Sequence, residues 1–363
     1  MCLELLLMLI TVLIQDDECC LCWQFNFSVA HPVKFEAEET PYFGLGPDLV
    51  LNALDNVGWK TTGALMPLNS FENRVYQIGV YDEDREFEVV AKFYRPGRWS
   101  QNQLIEEHQF TFELVDFELP VIAPIKKNQT SLFKVDQFQF SVFDKKGGRA
   151  PNLEDDAVLS WIGRLIGRIH AVSATQPFEY RPTINTEQFG RTPVRFIIEN
   201  ELVPFELRDP YQGLVDLALA TIDAAFNQNQ DCAFIRLLGD CHPGNILWMD
   251  DGPSFVDLDD AVMGPAVQDL WMLLSGDRET MATQLRKVLM GYEQFMEFDY
   301  RQVALIEPLR TLRIINYAGW LAQRWNDPAF KVAFPWFGSQ RYWEEHMGHI
   351  REQIGLMQER FSI

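Results

Sequence analysis

One short turn in the second half of the chain constrains its fold more than any other feature. Two apolar runs flank Asp251-Gly252, and Asp-Gly in that setting is the strongest short-range signal for a β-hairpin. A hairpin returns the chain to its start, so residues before its first strand lie beside residues after its second. We therefore expect Asp240, Asn245 and Asp257 to converge at one end of this hairpin.

The residues before about position 145 predict a small antiparallel sheet, because runs rich in β-branched and aromatic residues alternate with polar turns. A helix is predicted at Gln101–Asp116, inserted between strands, and a shorter one at Leu49–Val57. The predicted strands are Ala64–Leu68, Arg74–Val80, Phe87–Tyr94, Ser131–Val135 and Phe138–Phe143.

After Gly147-Gly148 the pattern becomes helical. Asp155–His170 has apolar residues at helical spacing, and Leu214–Phe226 is another predicted helix. A short β region covers Phe234–Val256, and helices follow it. The fold class is therefore α+β and bilobal, with a β-rich N-lobe at 41–145, a helical C-lobe at 146–363 and a ligand cleft between them.

The predicted cluster of two carboxylates and an amide suits Mg²⁺, which binds through few protein oxygens and substrate phosphates. Phosphoryl transfer from ATP uses such a set: one carboxylate orients the attacking hydroxyl and accepts its proton, and the other groups hold the metal. The spacing Asp-x-x-x-x-Asn, followed by Asp after the next hairpin, matches a kinase catalytic loop. Taken singly, each residue is as well explained as a turn former. The whole pattern favours an ATP- and Mg²⁺-dependent kinase.

The same segment resembles the aminoglycoside phosphotransferase and choline kinase superfamily, with its loop His-Gly-Asp-x-His-x-x-Asn and its metal segment Ile-Asp-x-x-Asp. From about residue 67 to residue 337 the chain is similar to the stress response kinase A family of bacterial Ser/Thr protein kinases. Leu238 is a departure, because the family has His before Gly-Asp. The matching motifs are Pro67–Tyr76, Lys92–Pro96, Phe255–Asp260 and Gly264–Leu274.

This resemblance implies a protein-kinase-like fold and assigns roles in the helical lobe. Asp240 becomes the catalytic proton acceptor, and Asn245 and Asp257 become the Mg²⁺ ligands, with Asp257 also counted as catalytic. Asp259 either touches a second ion or caps the next turn. Asp269 is expected to brace the catalytic loop through hydrogen bonds to its backbone.

Three residues of the N-lobe are predicted to bind ATP. Lys92 is the one lysine of an apolar strand and resembles the strand lysine that grips the α- and β-phosphates. Glu107 lies on the inward face of the following helix and is predicted to pair with Lys92, with Glu106 as the second choice. Ser70 lies in a polar loop where a Gly-rich loop would otherwise cover the phosphates, and the resemblance also places it at the ATP site.

The charge and cysteine content of the chain indicate which classes of partner and which location to expect. The chain has 31 Lys+Arg against 52 Asp+Glu, a formal net charge of -21, so its global field repels nucleic acid. Its 6 cysteines form no disulfide framework, which favours a reducing, cytoplasmic location. A metal site at Cys19-Cys20-x-Cys22 is a minor alternative.

The N-terminal run Leu3–Ile14 is apolar but shorter than the ~20 residues of a membrane span, and it lacks the basic start of a signal peptide. We expect residues 1–40 to be an extension outside the folded enzyme, with membrane association as the alternative. The expected protein is a monomer without a stable membrane span.

Three functions stay open. The resemblance implies a protein Ser/Thr kinase in a bacterial stress response. The second is a kinase of a choline-, homoserine- or aminoglycoside-like alcohol, and an acidic acceptor pocket would favour a cationic alcohol of this kind. The aromatic residues between Trp320 and Trp343 would either form a cation–π cage for such a ligand or pack in the core. The third is a pseudokinase that only binds, which Leu238 alone supports.

Overall fold

The computed structural model describes residues 40–83, 85–250, 252–359, 361 and 363. The predicted extension therefore lies outside the described residues except for residue 40, as do the run Leu3–Ile14 and the cluster Cys19-Cys20-x-Cys22. No helix in the described part of the chain has the length and apolar character needed to cross a membrane.

The N-lobe is a five-stranded antiparallel sheet with the strand order β1-β2-β3-β5-β4. Helix α1 (Pro47–Asn56) precedes the sheet, and helix α2 (Gln101–Asp116) is inserted between β3 and β4. The five predicted strands and the inserted helix are confirmed, although β1 begins four residues before the predicted start. The strands are β1 (Lys60–Leu68), β2 (Arg74–Asp82), β3 (Arg85–Phe93), β4 (Phe133–Val135) and β5 (Phe138–Asp144).

A compact apolar core joins α1 to this sheet. Val50 and Leu54 of α1 and Ile78, Val89 and Ala91 of the sheet are fully buried in one cluster. Ile78 of β2 pairs with Val89 of β3, so their side chains share one face of the sheet. This packing fixes the register of β3 and thereby the position of the lysine near its end.

The C-lobe is helical with two small β-ladders. Strand β6 (Phe234–Leu237) pairs with β9 (Val262–Pro265), and β7 (Ile246–Met249) pairs with β8 (Gly252–Phe255) as the predicted hairpin. Strand β9 was not predicted, because its four residues carry no clear alternation. The helices are α3 (Asp156–Ser173), α4 (Thr192–Glu199), α5 (Arg208–Gln228), α6 (Gln268–Trp271), α7 (Arg278–Tyr292), α8 (Ile306–Gln323), α9 (Pro328–Ala333) and α10 (Gln340–Gln358).

Helices α3 and α7 approach so closely that only glycine fits at their crossing. A Cβ atom added at Gly163 would lie 2.0 Å from the carbonyl oxygen of Val288, and one at Gly291 would lie 1.9 Å from that of Ser160. Backbones in such contact hold α3 in a fixed place, and α3 carries His170, whose ring bonds the side chain of Asp269.

Burial of His346 in α10 makes the stability of the C-lobe depend on pH. The side chain is 4% exposed, and burial together with nearby His349 lowers the pKa of His346 to about 3. An unfolded chain protonates this ring below about pH 6.5, whereas the native state does not, so the free energy of unfolding falls as the pH drops through that value. Each pH unit below it costs about 1.4 kcal/mol.

We expect His346→Leu to remove this slope. Between about pH 6 and pH 5, the free energy of unfolding of the variant should fall less steeply than that of the wild type, by about 1.4 kcal/mol per pH unit. Urea unfolding at several pH values measures both slopes. Parallel slopes for the two proteins would show that the ring does not titrate as its burial requires.

Candidate active site

The loop that carries Asp240 leaves β6 through Gly239, a position with no space for a side chain. Gly239 has a φ of 84°, and a Cβ there would lie 2.0 Å from the carbonyl oxygen of Asp260. The side chain of Asp269 accepts hydrogen bonds from the backbone N–H groups of Leu238, at 2.8 Å, and Gly239, at 2.9 Å. The prediction that Asp269 braces this loop is therefore confirmed.

His170 completes this brace and was not recognised in the sequence. Its ring nitrogens lie 3.1 Å from Asp269 Oδ2 and 3.0 Å from the hydroxyl oxygen of Tyr292, and the ring is fully buried. A histidine among the apolar residues of the predicted helix 155–170 was the available signal. Leu238, where the family has His, is 5% exposed and packs in the C-lobe core.

The β7–β8 hairpin brings its two ends together as predicted. The N–H of Val256 donates to the carbonyl oxygen of Asn245 at 3.0 Å, which places Asp257 next to the start of the hairpin. The side-chain Nδ2 of Asn245 donates to the carbonyl oxygen of Asp240 at 3.0 Å. This bond fixes the amide and leaves its oxygen as a possible ligand for a cation.

Lys92 of β3 reaches across to this end of the hairpin. Its Nζ lies 2.6 Å from Asp257 Oδ1 and 3.6 Å from Asp259 Oδ1. The lysine is 8% exposed, and although burial opposes its charge, the two carboxylates keep its pKa above the usual value. Asp257 itself has left-handed backbone angles, with φ 58° and ψ 66°, and half of its side chain is exposed.

Asp259 connects the two lobes from a buried position. Its Oδ2 accepts hydrogen bonds from Asn73 Nδ2 at 3.1 Å and Arg98 Nη1 at 2.5 Å. Burial raises the pKa of the carboxyl, but Lys92 and Arg98 outweigh it and hold that pKa well below its usual range. Asp259 therefore does more than cap the next turn. Its contact with a second ion stays a prediction.

The predicted partner of Lys92 needs correction. Glu107 is 4% exposed and faces inward as predicted, yet the ion pairs of Lys92 within 4 Å, among the described residues, are those with Asp257 and Asp259. Glu107 accepts a hydrogen bond from Thr111 Oγ1 at 3.1 Å, and burial raises its pKa to about 7. Lys92 therefore pairs with the nearer carboxylates of Asp257 and Asp259.

The second choice, an ion pair between Glu106 and Lys92, is also wrong. Its carboxylate accepts hydrogen bonds from the backbone N–H groups of Tyr180, at 2.8 Å, and Arg181, at 2.7 Å. It therefore anchors helix α2 to the segment that precedes α4.

Ser70 lies partly exposed in the loop between β1 and β2, and its role at the phosphates stays a prediction. Glu72 of the same loop forms ion pairs with Arg95 of the N-lobe at 3.2 Å and with Arg324 of the C-lobe at 2.7 Å. The second pair docks the loop on the C-lobe. The ring of Phe71 packs against Phe334, with centroids 5.0 Å apart.

Asp240, the predicted proton acceptor, faces an arginine that the sequence analysis missed. Arg313 Nη1 of α8 lies 2.7 Å from Asp240 Oδ1, and His242 Nε2 lies 3.5 Å from Asp240 Oδ2. Burial raises the pKa of this carboxyl, but Arg313 and His242 lower it by more, so that its pKa stays below the usual value. No sequence signal indicated that Arg313 lies near Asp240, because α8 begins about 50 residues after Asp257 and sequence patterns do not show which distant elements pack together.

The donor set near the hairpin fits a divalent cation that binds few protein groups. Asn245 and Asp257 offer hard oxygens, and Asp259 Oδ1 is buried without a hydrogen-bond partner among the described residues. The ammonium group of Lys92 lies between two of these carboxylates, which is where positive charge is stabilised. No group of three or more His, Cys, Asp or Glu side chains in the described ranges could hold a metal by itself.

The C-terminal aromatic residues pack against each other. Trp343 is fully buried, 5.3 Å from the ring of Tyr211 and 5.7 Å from that of Phe337. The indole N–H of Trp320 donates to Glu72 instead of lining an open cage. Core packing is therefore observed for Trp343 and Phe337, whereas Trp320 is partly exposed.

Comparison with known proteins agrees with this geometry. Residues 65–306 match the model of the phosphotransferase enzyme family. Stress response kinase A of Escherichia coli (strain K12) is 44% identical over 87% of this chain and 94% of its own length. Serine/threonine protein kinase RdoA of Salmonella typhimurium is 41% identical with the same coverage.

A solved structure of amicoumacin kinase hAmiN, in complex with AMP-PNP and Ca²⁺, shares the fold. Its TM-score is 0.63 at 16% sequence identity, and the match covers 83% of this chain and 93% of that one. The bilobal kinase-like fold is thus confirmed. The chain belongs to the phosphotransferase enzyme family and, within it, to the stress response kinase A group.

Proposed function

We propose that the protein transfers the γ-phosphoryl group of ATP to Ser and Thr hydroxyls of proteins, with Mg²⁺ as the metal. One observation carries this proposal. Lys92 of the N-lobe lies 2.6 Å from Asp257, which follows the β7–β8 hairpin, and Asn245, bonded to Asp240, directly precedes the same hairpin. A lysine, a base and two metal ligands at one place are the parts that phosphoryl transfer needs.

In the proposed reaction, the oxygen of the substrate hydroxyl attacks the γ-phosphorus while a carboxylate oxygen of Asp240 accepts the hydroxyl proton. The bond from the γ-phosphorus to the bridging oxygen breaks, and ADP leaves. Lys92 and Ser70 bind phosphate oxygens of the nucleotide. Asn245 and Asp257 would hold Mg²⁺, which neutralises phosphate charge when bound.

The acceptor class is supported by two kinds of evidence. Both relatives named above are kinases, and one is named a serine/threonine protein kinase. In addition, a guanidinium lies 2.7 Å from the proposed base, so a cationic alcohol such as choline would meet like charge there. From the name of the Escherichia coli relative we also propose a role in a bacterial stress response. A cytoplasmic location and a monomeric state are proposed from the sequence alone.

The test is incubation of the purified protein with Mg²⁺ and γ-labelled ATP, together with a generic protein substrate or a panel of choline, homoserine and an aminoglycoside. Label on Ser or Thr of the protein substrate supports the proposal. Label on an alcohol of the panel alone replaces it with a small-molecule kinase. Binding of ATP without any transfer would make the protein a pseudokinase.

A further inference from the structure

A stripe of side chains on α8 runs along the C-lobe side of the proposed cleft. Arg313, Tyr317 and Trp320 follow each other at spacings of three and four residues and so share one face of the helix, and Arg324 continues the stripe just past the end of α8. One end of the stripe meets Asp240 through Arg313, and the other end meets Glu72 through Trp320 and Arg324. The helix therefore spans the distance from the proposed base to the N-lobe loop.

Between the two arginines lies a pair of stacked rings. The centroids of Tyr317 and Trp320 are 5.6 Å apart with 18° between their planes, and Arg324 lies over Trp320 at 5.2 Å. Both rings are partly exposed. Such a surface offers apolar contact in its middle and guanidinium groups at its ends.

Arg313 differs in exposure and in its ion-pair partner from Arg310, another arginine of the same helix. Arg310 is 4% exposed and is paired within α8, with Glu307, at 3.0 and 3.1 Å. The side chain of Arg313 is 34% exposed, and its ion-pair partner within 4 Å, in the described part of the chain, is Asp240. A guanidinium has five N–H donors, so one contact at Nη1 leaves donors on its exposed side.

This geometry gives Arg313 two tasks beside the reacting hydroxyl. It occupies Oδ1 of Asp240 and so leaves Oδ2 as the oxygen that can accept the proton of an incoming hydroxyl. Because Arg313 contacts Asp240 and its side chain is 34% exposed, its remaining donors are available to an acceptor whose hydroxyl is held by Asp240. A carboxylate next to the acceptor hydroxyl fits those donors, because guanidinium and carboxylate groups form paired hydrogen bonds.

We propose that Arg313 makes the acceptor site selective for a Ser or Thr hydroxyl flanked by Asp or Glu. This inference rests on the proposed protein kinase function and names its substrate class. The overall negative charge of the protein does not oppose it at contact, because exposed charges are screened over about 8 Å at physiological ionic strength. The direct pair with Arg313 acts within that range.

Synthetic peptides that carry one Ser among acidic, neutral or basic neighbours test the inference. We expect the wild type to phosphorylate the acidic peptide with a kcat/KM about tenfold above that for the neutral one, and the basic peptide least. Arg313→Gln should bring the acidic-to-neutral ratio close to one, mainly through KM for peptide, with KM for ATP unchanged. Arg313→Lys should restore part of the ratio.

The ratio separates recognition from structure, because a variant that merely disturbs Asp240 loses activity on all peptides alike. Arg341→Gln, at an arginine of α10 whose side chain is 86% exposed, is the matched control and should keep the wild-type ratio. A wild type without preference, or an Arg313→Gln ratio equal to that of the wild type, overturns this inference alone. Binding of ATP without transfer to any peptide overturns the proposed function together with it.

Discussion

Replacing Asp240 by Asn should lower kcat for phosphoryl transfer about 10³-fold, while the dissociation constant for ATP changes less than about threefold. The amide keeps the shape of the carboxylate but cannot accept the proton of the attacking hydroxyl. It also loses the charge that pairs with Arg313 at 2.7 Å. Single-turnover transfer of label from ATP to protein measures the chemical step, and calorimetric titration measures nucleotide binding.

The control for this variant is Asp216→Asn, at an exposed carboxylate of α5, which should behave as the wild type. Thermal unfolding of each protein separates a loss of chemistry from a loss of fold. If Asp240→Asn retained more than about a tenth of the wild-type rate, Asp240 could not be the proton acceptor.

Replacing Asp257 by Asn should also lower the rate by about 10³-fold, but for a different reason. Asp257 has left-handed backbone angles, which Asn adopts at least as readily as Asp, so the substitution adds little strain. What it removes is a negative ligand for the proposed Mg²⁺ and the partner of Lys92 at 2.6 Å. The apparent affinity for Mg²⁺ should therefore fall, and ATP should bind more weakly when Mg²⁺ is present.

A titration of initial rate against Mg²⁺ concentration, at fixed ATP, distinguishes the two aspartates. The curve of Asp257→Asn should shift to higher Mg²⁺, whereas that of Asp240→Asn should keep its midpoint at a lower plateau. Asp250→Asn, at an exposed aspartate of the same hairpin, serves as the control. An unchanged Mg²⁺ midpoint for Asp257→Asn would remove Asp257 from the metal site.

The ion-pair partner of Lys92 could not be predicted from the sequence. Helical spacing placed Glu107 on the inward face of α2, and the side chain is indeed 4% exposed. Spacing could not say which carboxylate lies nearest to Lys92, because the competing Asp257 and Asp259 come from another lobe about 165 residues away. Only the packing of the lobes decides that choice.

The brace of the catalytic loop was predicted in part for a similar reason. The motif Gly-Pro-x-x-x-Asp-Leu predicted that Asp269 bonds the loop backbone, and it does so at 2.8 and 2.9 Å. His170, which orients Asp269 from the other side, lies 99 residues earlier on α3. Its place depends on the close approach of α3 and α7, which glycines at the crossing permit.

The sequence by itself determined the features that depend on neighbouring residues. These are the strands of the N-lobe, helix α2, the β7–β8 hairpin and the convergence of Asn245 and Asp257 at its end, since hydrophobic period and turn chemistry act over a few residues. The tertiary structure decided the partners of each charge: Lys92 with Asp257, Asp240 with Arg313, and Glu72 with Arg324. Ion pairs depend on distances between elements far apart in the chain. For Lys92 and Glu72 those distances exist only after the two lobes have packed together, and for Asp240 only after α8 has packed within the C-lobe.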